Sequence, residues 1–562
     1  MAIFGLIFSP AMTLTANILD LFDQRIYYGS LHIENGRIGQ IERMGNERPG
    51  APYVLPGFVD AHVHIESSLL TPAQFARLAV VHGTVATVSD PHEIGNVLGV
   101  PGVDYMIDDG NRVAFKFCFG APSCVPATLF ETAGATISVR EVRDLLGRRD
   151  IGYLAEMMNF PGVLNDDPDV MAKIALAKAY NKPIDGHAPG LRGNDAQRYI
   201  DAGIETDHEC FTYEEALDKV QRGMCILIRE GSAARNFEAL HPLLTYYPDR
   251  VMFCSDDKHP DTLAEGHIDQ LVVRALQKGH SIWNVLRAAC LNPVIHYRLP
   301  VGLLREGDPA DFIVINDLER FRVMHTVING QVVAENGKTL IPDLRSDHPN
   351  NFHCSPKQPS DFAVQAEPCD TIRVIEALDG QLITNELHLE PAIRDGHFVA
   401  DPTRDLLKLV VVNRYQNVPP AVAFIKNFGL KHGALASSVG HDSHNITAVG
   451  CDDESICRAV NLVIEAKGGL SAVSSEQLAS LPAANCFLPL PVAGLMTDMD
   501  GYEVASKYAQ VDQFAKGELG SVLSAPFMTL SFMALLVIPS LKLSDKGLFD
   551  GQRFCFTRIS MP

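Results

Sequence analysis

Residues 53–66 read YVLPGFVDAHVHIE. An apolar run ends in a carboxylate, Asp60, and two histidines follow, His62 and His64. The same pattern recurs along the chain. VATVSD ends at Asp90, VAFKFCF at Phe119 and GYLAE at Glu156. KPIDG precedes His187, GIETD precedes His208, MCILI precedes Arg229 and RVMFCS precedes Asp256. Short β-branched and aromatic runs of this kind predict strands. Helical patterns lie between them at 72–82, 139–147, 169–180, 213–222 and 262–278. Strand–helix alternation implies a parallel sheet, and eight repeats imply a closed (β/α)8 barrel of the TIM type over 57–296. In such a barrel the carboxyl ends of the strands converge on one face, so the residues that follow them share a pocket.

Outside that block the pattern changes. Residues 24–42 alternate apolar and polar around Asn35-Gly36, and 310–335 do so around Asn329-Gly330, each a hairpin signal. Residues 1–56 and 297–345 are therefore expected to pair as one small β-sandwich domain built from both flanks. Residues 345–370 are polar and Pro-rich, suiting a linker, and 346–562 read as an additional α+β C-terminal domain.

Composition narrows the function classes. Hydrophobic residues make up 46% of the 562-residue chain and charged residues 20%, the proportions of a folded α/β protein. Net charge is −21, from 68 acidic and 47 basic residues, which argues against binding a polyanion, so no nucleic-acid partner is expected. The apolar stretch 525–543 is broken by Pro526 and Pro539 and reads as core, not as a membrane span. Residues 1–16 lack the basic region of a secretory leader. Twelve cysteines without a C-x-x-C pair suit free thiols in a reducing compartment, and a cytoplasmic location is expected.

The chemistry rests on the strand ends. His62 and His64, at i and i+2, project to the same side of a strand. With His187, His208, Glu156 and Asp256 they make six nitrogen and oxygen donors, more than one four-coordinate ion takes. Two divalent metals sharing a bridging carboxylate fit that number, with Glu156 as the bridge. A donor set without thiolate suits Mn, Fe(II) or Zn. Asp256 can accept a proton from an attacking water, and Glu209, beside His208, is a candidate acid for a ring nitrogen. Arg229 and Glu230 offer donor and acceptor contacts to a heteroaromatic substrate, or pair with each other. Two stretches stay open. SDPHEIG (89–95) carries Asp90, His92 and Glu93, which could bind the substrate edge, hold an additional metal or brace the ligands. GHDSHN (440–445) is either a metal site or a hydrogen-bonded turn over the barrel mouth. Asp257 reads as a partner for a histidine or as a surface turn.

PGFVDAHVH, the single histidines after strands five and six, and the Ser-Asp after strand eight together resemble the amidohydrolase superfamily. HIESSLLTP (64–72), VSDPHEIGNVLG (88–99), EMMNFPGV (156–163), DGHAPGL (185–191), REGSAARN (229–236), FCSDDKHP (253–260), SSVGHDSHN (437–445) and LPLPVAGLM (488–496) narrow the resemblance to the bacterial-type adenine deaminases. It covers the chain from about residue 16. It implies hydrolysis of adenine to hypoxanthine and ammonia in purine salvage, at a binuclear Mn(II) or Fe(II) centre held by His62, His64, Glu156, His187, His208 and Asp256. It implies catalytic roles for Asp256, Glu156 and Glu209, and substrate contacts from Asp90, His92, Arg229 and Glu230. A homo-oligomer is expected at the family level. The metal shell alone leaves open an amidohydrolase acting on guanine, cytosine or a cyclic amide. One departure from the family pattern is Asn413-Arg414-Tyr415-Gln416, where His-Gly would follow Asn-Arg.

Overall fold

The computed structural model describes residues 12–232, 234–475 and 485–561. The opening segment, read above for a leader, lies outside them up to residue 11. At the centre stand eight parallel strands: β1 (Phe58–Val63), β2 (Thr84–Ser89), β3 (Lys116–Ala121), β4 (Ile151–Met157), β5 (Ile184–Gly186), β6 (Thr206–Asp207), β7 (Cys225–Arg229) and β8 (Val251–Cys254). β1 to β5 pair in chain order as one sheet and β6 to β8 as another. The sheets meet at two seams. Asp256 N donates to His62 O at 3.0 Å and His64 N to Asp256 O at 3.4 Å at one, and Glu205 N donates to Ile184 O at 2.9 Å at the other. The ring thus closes, and β1 and β8, far apart in sequence, become neighbours.

The flanking helices begin where the chain supplies side-chain acceptors for the free amides of a first turn. Ser138 and Glu141 form a capping box on Val139–Leu146, Asp167 caps Pro168–Ala179, and Thr212 caps Tyr213–Gln221. In the first of these, Val142, Leu145 and Leu146 are buried, the i, i+3, i+4 stripe of a helix laid on a sheet.

Three expectations need correction. The helix predicted over 262–278 is two helices, Pro260–Glu265 and Ile268–Gln277, interrupted at Gly266. The break turns His267 inward, where Nε2 lies 2.8 Å from Asp60 Oδ2 and Nδ1 2.7 Å from Thr84 Oγ1. Tyr53–Asp60 is not one strand. Tyr53–Pro56 pairs with Phe312–Ile315 and with Asn17 and Ile18, and the barrel strand starts after Gly57. The flanking β-sandwich is a single eight-stranded sheet, because that same short strand joins the two flanks edge to edge. The sheet curls so that its two Asn-Gly turns touch: a Cβ on Gly36 would stand 2.7 Å from Asn329 O. Asn35, Gly36, Asn329 and Gly330 all have positive φ, as hairpin turns matched to strand twist require.

Residues 371–561 build a nine-stranded sheet and accompanying helices, among them Asp453–Ala466 and Gly501–Gln513. The polar segment before them is pinned rather than loose: Asn351 Nδ2 donates to Val97 O at 3.1 Å and His353 N to Arg414 O at 2.7 Å. The apolar stretch 525–543 is core, with Pro526–Phe532 a wholly buried helix. Among the described residues no helix is long and apolar enough to cross a membrane. Residues 440–445 and the turn after Phe532 come to rest over the carboxyl ends of the barrel strands.

Candidate active site

All six donors expected from the strand ends converge. His62 Nε2 and His64 Nε2 are 3.2 Å apart and both buried. Asp256 Oδ1 lies 3.8 Å from the first and 3.5 Å from the second. Glu156 stands between two groups of imidazoles. Its Oε1 is 3.4 Å from His64 Nε2, and its Oε2 is 2.8 Å from His187 Nδ1 and 3.1 Å from His208 Nε2. Donors bound to one ion at about 2.1 Å stand roughly 3.0–4.2 Å apart. Nearly all of these separations fall in that range. His62 Nδ1 and His187 Nε2 have no hydrogen-bond partner among the described residues. Facing imidazole nitrogens and an acceptor-only carboxylate fit divalent cations, one on each side of Glu156.

The electrostatics follow from the crowding. Burial works to raise the Glu156 pKa, but His187, His208 and His64 outweigh it and hold the carboxyl well below the usual range. Burial likewise opposes ionisation of Asp256, and Arg229, then His208, His62 and His64, reverse it. Arg229 Nη1 donates to Asp256 Oδ2 at 2.5 Å. The same guanidinium grips Glu209, through Nη1 to Oε1 and through Nη2 to Oε2 at 3.0 Å. The alternative pairing of Arg229 with Glu230 is not found. Arg229 lines the cavity, yet its Nη donors are engaged by two carboxylates, and its Nε has no hydrogen-bond partner among the described residues.

Two substrate-contact expectations are corrected. Glu230 turns out of the mouth and pairs with Arg274 Nη1 at 2.6 Å. Successive residues at a strand end point to opposite sides, so when Arg229 faces inward Glu230 faces out. Glu230→Gln is therefore expected to leave kcat/KM for adenine within about threefold, since its carboxylate pairs with Arg274 and is not on the cavity wall, so no transition-state contact is removed. Steady-state kinetics check it. Asp90 lies behind the wall, accepting from His92 N at 3.0 Å and Glu156 N at 3.3 Å, and braces rather than faces the cavity. His92 does face it, with Nδ1 3.5 Å from Glu156 Oε1. Ser232, which opens the turn after β7 and suits an N-cap by residue type, does not cap the helix that follows, Phe237–Leu240. Asn236 stands at that position, and its side chain accepts from Arg229 N and donates to His208 O and Cys210 O.

The sequence reading missed several positions. Asp60, buried at the foot of β1, accepts from Ser255 N at 2.9 Å and meets His267, tying β1 to the chain beyond β8. Asp257, by contrast, matches the first of its two readings, a partner for a histidine: it is buried, accepts from Ser67 and stands 3.9 Å from His441 Nε2. The roof of the cavity comes from the far end of the chain: Leu382, Phe532 and Leu535, with His441 and Asp442 beside them. The enclosed space is about 20 Å³, room for one water. A wider cleft of about 400 Å³ lies at the opposite end of the barrel, beside Lys178, Glu205 and Arg298, away from every donor described here.

Comparison with known proteins agrees with this geometry. The amidohydrolase family model matches residues 53–333, and the adenine deaminase C-terminal domain model matches residues 381–555. The adenine deaminase of Sulfurovum sp. is 57% identical over 545 residues, 97% of this chain and 99% of that protein. The adenine deaminase of Salinibacter ruber is 55% identical over 547 residues, 97% and 98% of the two chains. That of Methanosarcina mazei is 52% identical over 554 residues, 96% and 98%. The chain belongs to the amidohydrolase family and, within it, to the adenine deaminases.

Proposed function

We propose that this chain hydrolyses adenine to hypoxanthine and ammonia with His62, His64, Glu156, His187, His208 and Asp256 holding a pair of divalent cations, Mn(II) or Fe(II). The observation that supports the pair is Glu156, whose two oxygens face separate groups of donors, Oε1 toward His64 and Oε2 toward His187 and His208. Bound there, the cations supply Lewis acidity and lower the pKa of water toward neutrality.

The remaining work falls to side chains. Water adds to C6, and its two protons end on N1 and on the departing amine. Asp256, held as a carboxylate by Arg229, accepts one proton as the C–O bond forms and returns it to the amino group as the C–N bond breaks. Glu209 lies 3.5 Å from His208 Nε2 and on the cavity wall, where it can carry the other proton to N1. Arg229, bound to both carboxylates, fixes their separation and orientation. Phe532, Leu535 and Leu382 supply the apolar cover a purine face needs. The space beneath them is smaller than a purine, so these roof segments part on substrate entry and close to exclude water.

The decisive assay loads purified protein with Mn(II) or Fe(II) and measures ammonia from adenine, adenosine, guanine and cytosine, and ring opening of a hydantoin. Adenine is expected to turn over and adenosine is not, because a roof that closes over the free base cannot close around an attached ribose. Turnover of guanine, cytosine or the hydantoin with none of adenine would replace this reading by the alternative amidohydrolase one.

A further inference from the structure

The two stretches whose roles the sequence left open, SDPHEIG and GHDSHN, come from opposite ends of the chain and meet over the barrel mouth. We propose that Glu93, His92, His441, Asp442 and His444 form a further divalent-cation site, separate from the pair around Glu156, that clamps the C-terminal region onto the barrel.

The geometry carries it. Glu93 is buried and presents one oxygen to each side. His441 Nδ1 is 2.5 Å from Oε1, and His444 Nε2 stands against Oε2. His92 Nε2 lies 3.4 Å from Glu93 Oε1 and 3.9 Å from Asp442 Oδ1, and His441 Nδ1 is also 3.9 Å from Asp442 Oδ1. The last three separations are those of donors sharing one ion at about 2.1 Å. The two contacts to Glu93 are shorter, and the imidazoles move outward by roughly half an ångström or more to reach co-ligand spacing.

The second observation is the set of orphaned atoms. Both oxygens of Glu93, His444 Nε2 and Asp442 Oδ2 are buried and, although Glu93 lies against His441 and His444, none of the four makes a well-formed hydrogen bond among the described residues. Buried polar atoms are almost always satisfied, and so many orphans at one spot point to a missing partner. Three imidazoles and two carboxylates suit a transition divalent ion such as Mn(II), Fe(II) or Zn(II). The residue departing from the family pattern supports the loop: Tyr415 donates its hydroxyl to Ser443 O at 2.6 Å, bracing the turn that carries the donors. An ion at this point would draw donors from both ends of the chain together, which neither stretch achieves alone.

The test uses the full-length protein, stripped by chelation and reloaded with Mn(II), with bound metal counted by mass spectrometry on the folded fraction. Three equivalents are expected in the wild type and two in Glu93→Gln and in His444→Ala. A His62→Ala, His187→Ala double variant is expected to keep at least one, which separates this site from failure of the pair. Should a variant misfold, anomalous scattering at the manganese edge from wild-type crystals decides the matter without it. A peak bounded by Glu93, His441 and Asp442 is the expected result. Its absence, or equal metal content in wild type and both single variants, overturns the proposal.

Discussion

Asp256→Asn is expected to lower kcat for adenine by about 10²–10⁴-fold, the usual worth of a positioned acid–base group. The substitution keeps volume and shape, so packing around β8 should survive. What it removes is the proton acceptor. Arg229 donates to Asp256 Oδ2, which leaves Oδ1 facing His62 and His64, where the attacking water must sit. An asparagine in that place cannot take a proton at its carboxamide oxygen at neutral pH. Because Asp256 also stands among the proposed ligands, kinetics must be paired with a metal count at saturating Mn(II). A slow variant with full metal content locates the defect in proton transfer. A fully loaded variant with near wild-type kcat refutes the role. A slow variant that has lost an equivalent shows that Asp256 acts mainly as a ligand.

The parts of this site that were legible in the sequence share a physical cause. A strand end is a local signal, and parallel closure brings every strand end to one rim, so six donors could be named without knowing a single distance. The failures have equally local causes. Glu230 follows Arg229 at the end of β7, and both look alike as charged residues after a strand, but alternation sends one inward and the other to Arg274. Gly266 hides inside a helical pattern, since one glycine in such a pattern does not by itself end a helix, and so the inward turn of His267 was invisible. Phe532 and Leu535 were readable only as apolar. A side chain that roofs a cavity and one that fills a core have the same sequence signature, and only the docking of distant segments separates them. The same reason kept Glu93 and His441 ambiguous: each stretch is a weak metal signal, and their meeting depends on tertiary contacts that no window of sequence contains.

Glu156→Gln is expected to have the other large effect. Between His64 on one side and His187 and His208 on the other, the carboxylate is, among the described residues, the group whose two oxygens reach both sets of imidazoles. Glutamine keeps one acceptor but replaces the other oxygen with an amide donor, which faces imidazole nitrogens or a cation with the wrong polarity. One side of the centre then lacks its anionic donor. A Lewis acid contributes several kcal/mol to transition-state stabilisation. At roughly 4 kcal/mol its loss slows turnover about 10³-fold. The variant should therefore bind at least one equivalent less Mn(II) than wild type and show a fall in kcat of that order, with KM little changed if the roof residues dominate ground-state binding of the purine. Metal titration followed by calorimetry, alongside steady-state rates, reads both quantities on one sample. Full metal content with wild-type kcat would remove Glu156 from its bridging position. Full metal content with a depressed kcat would instead make it an orienting partner of His187 and His208, a distinction that the spectrum of a Co(II)-substituted protein resolves, since loss of a bridging ligand alters coordination and loss of a hydrogen bond does not.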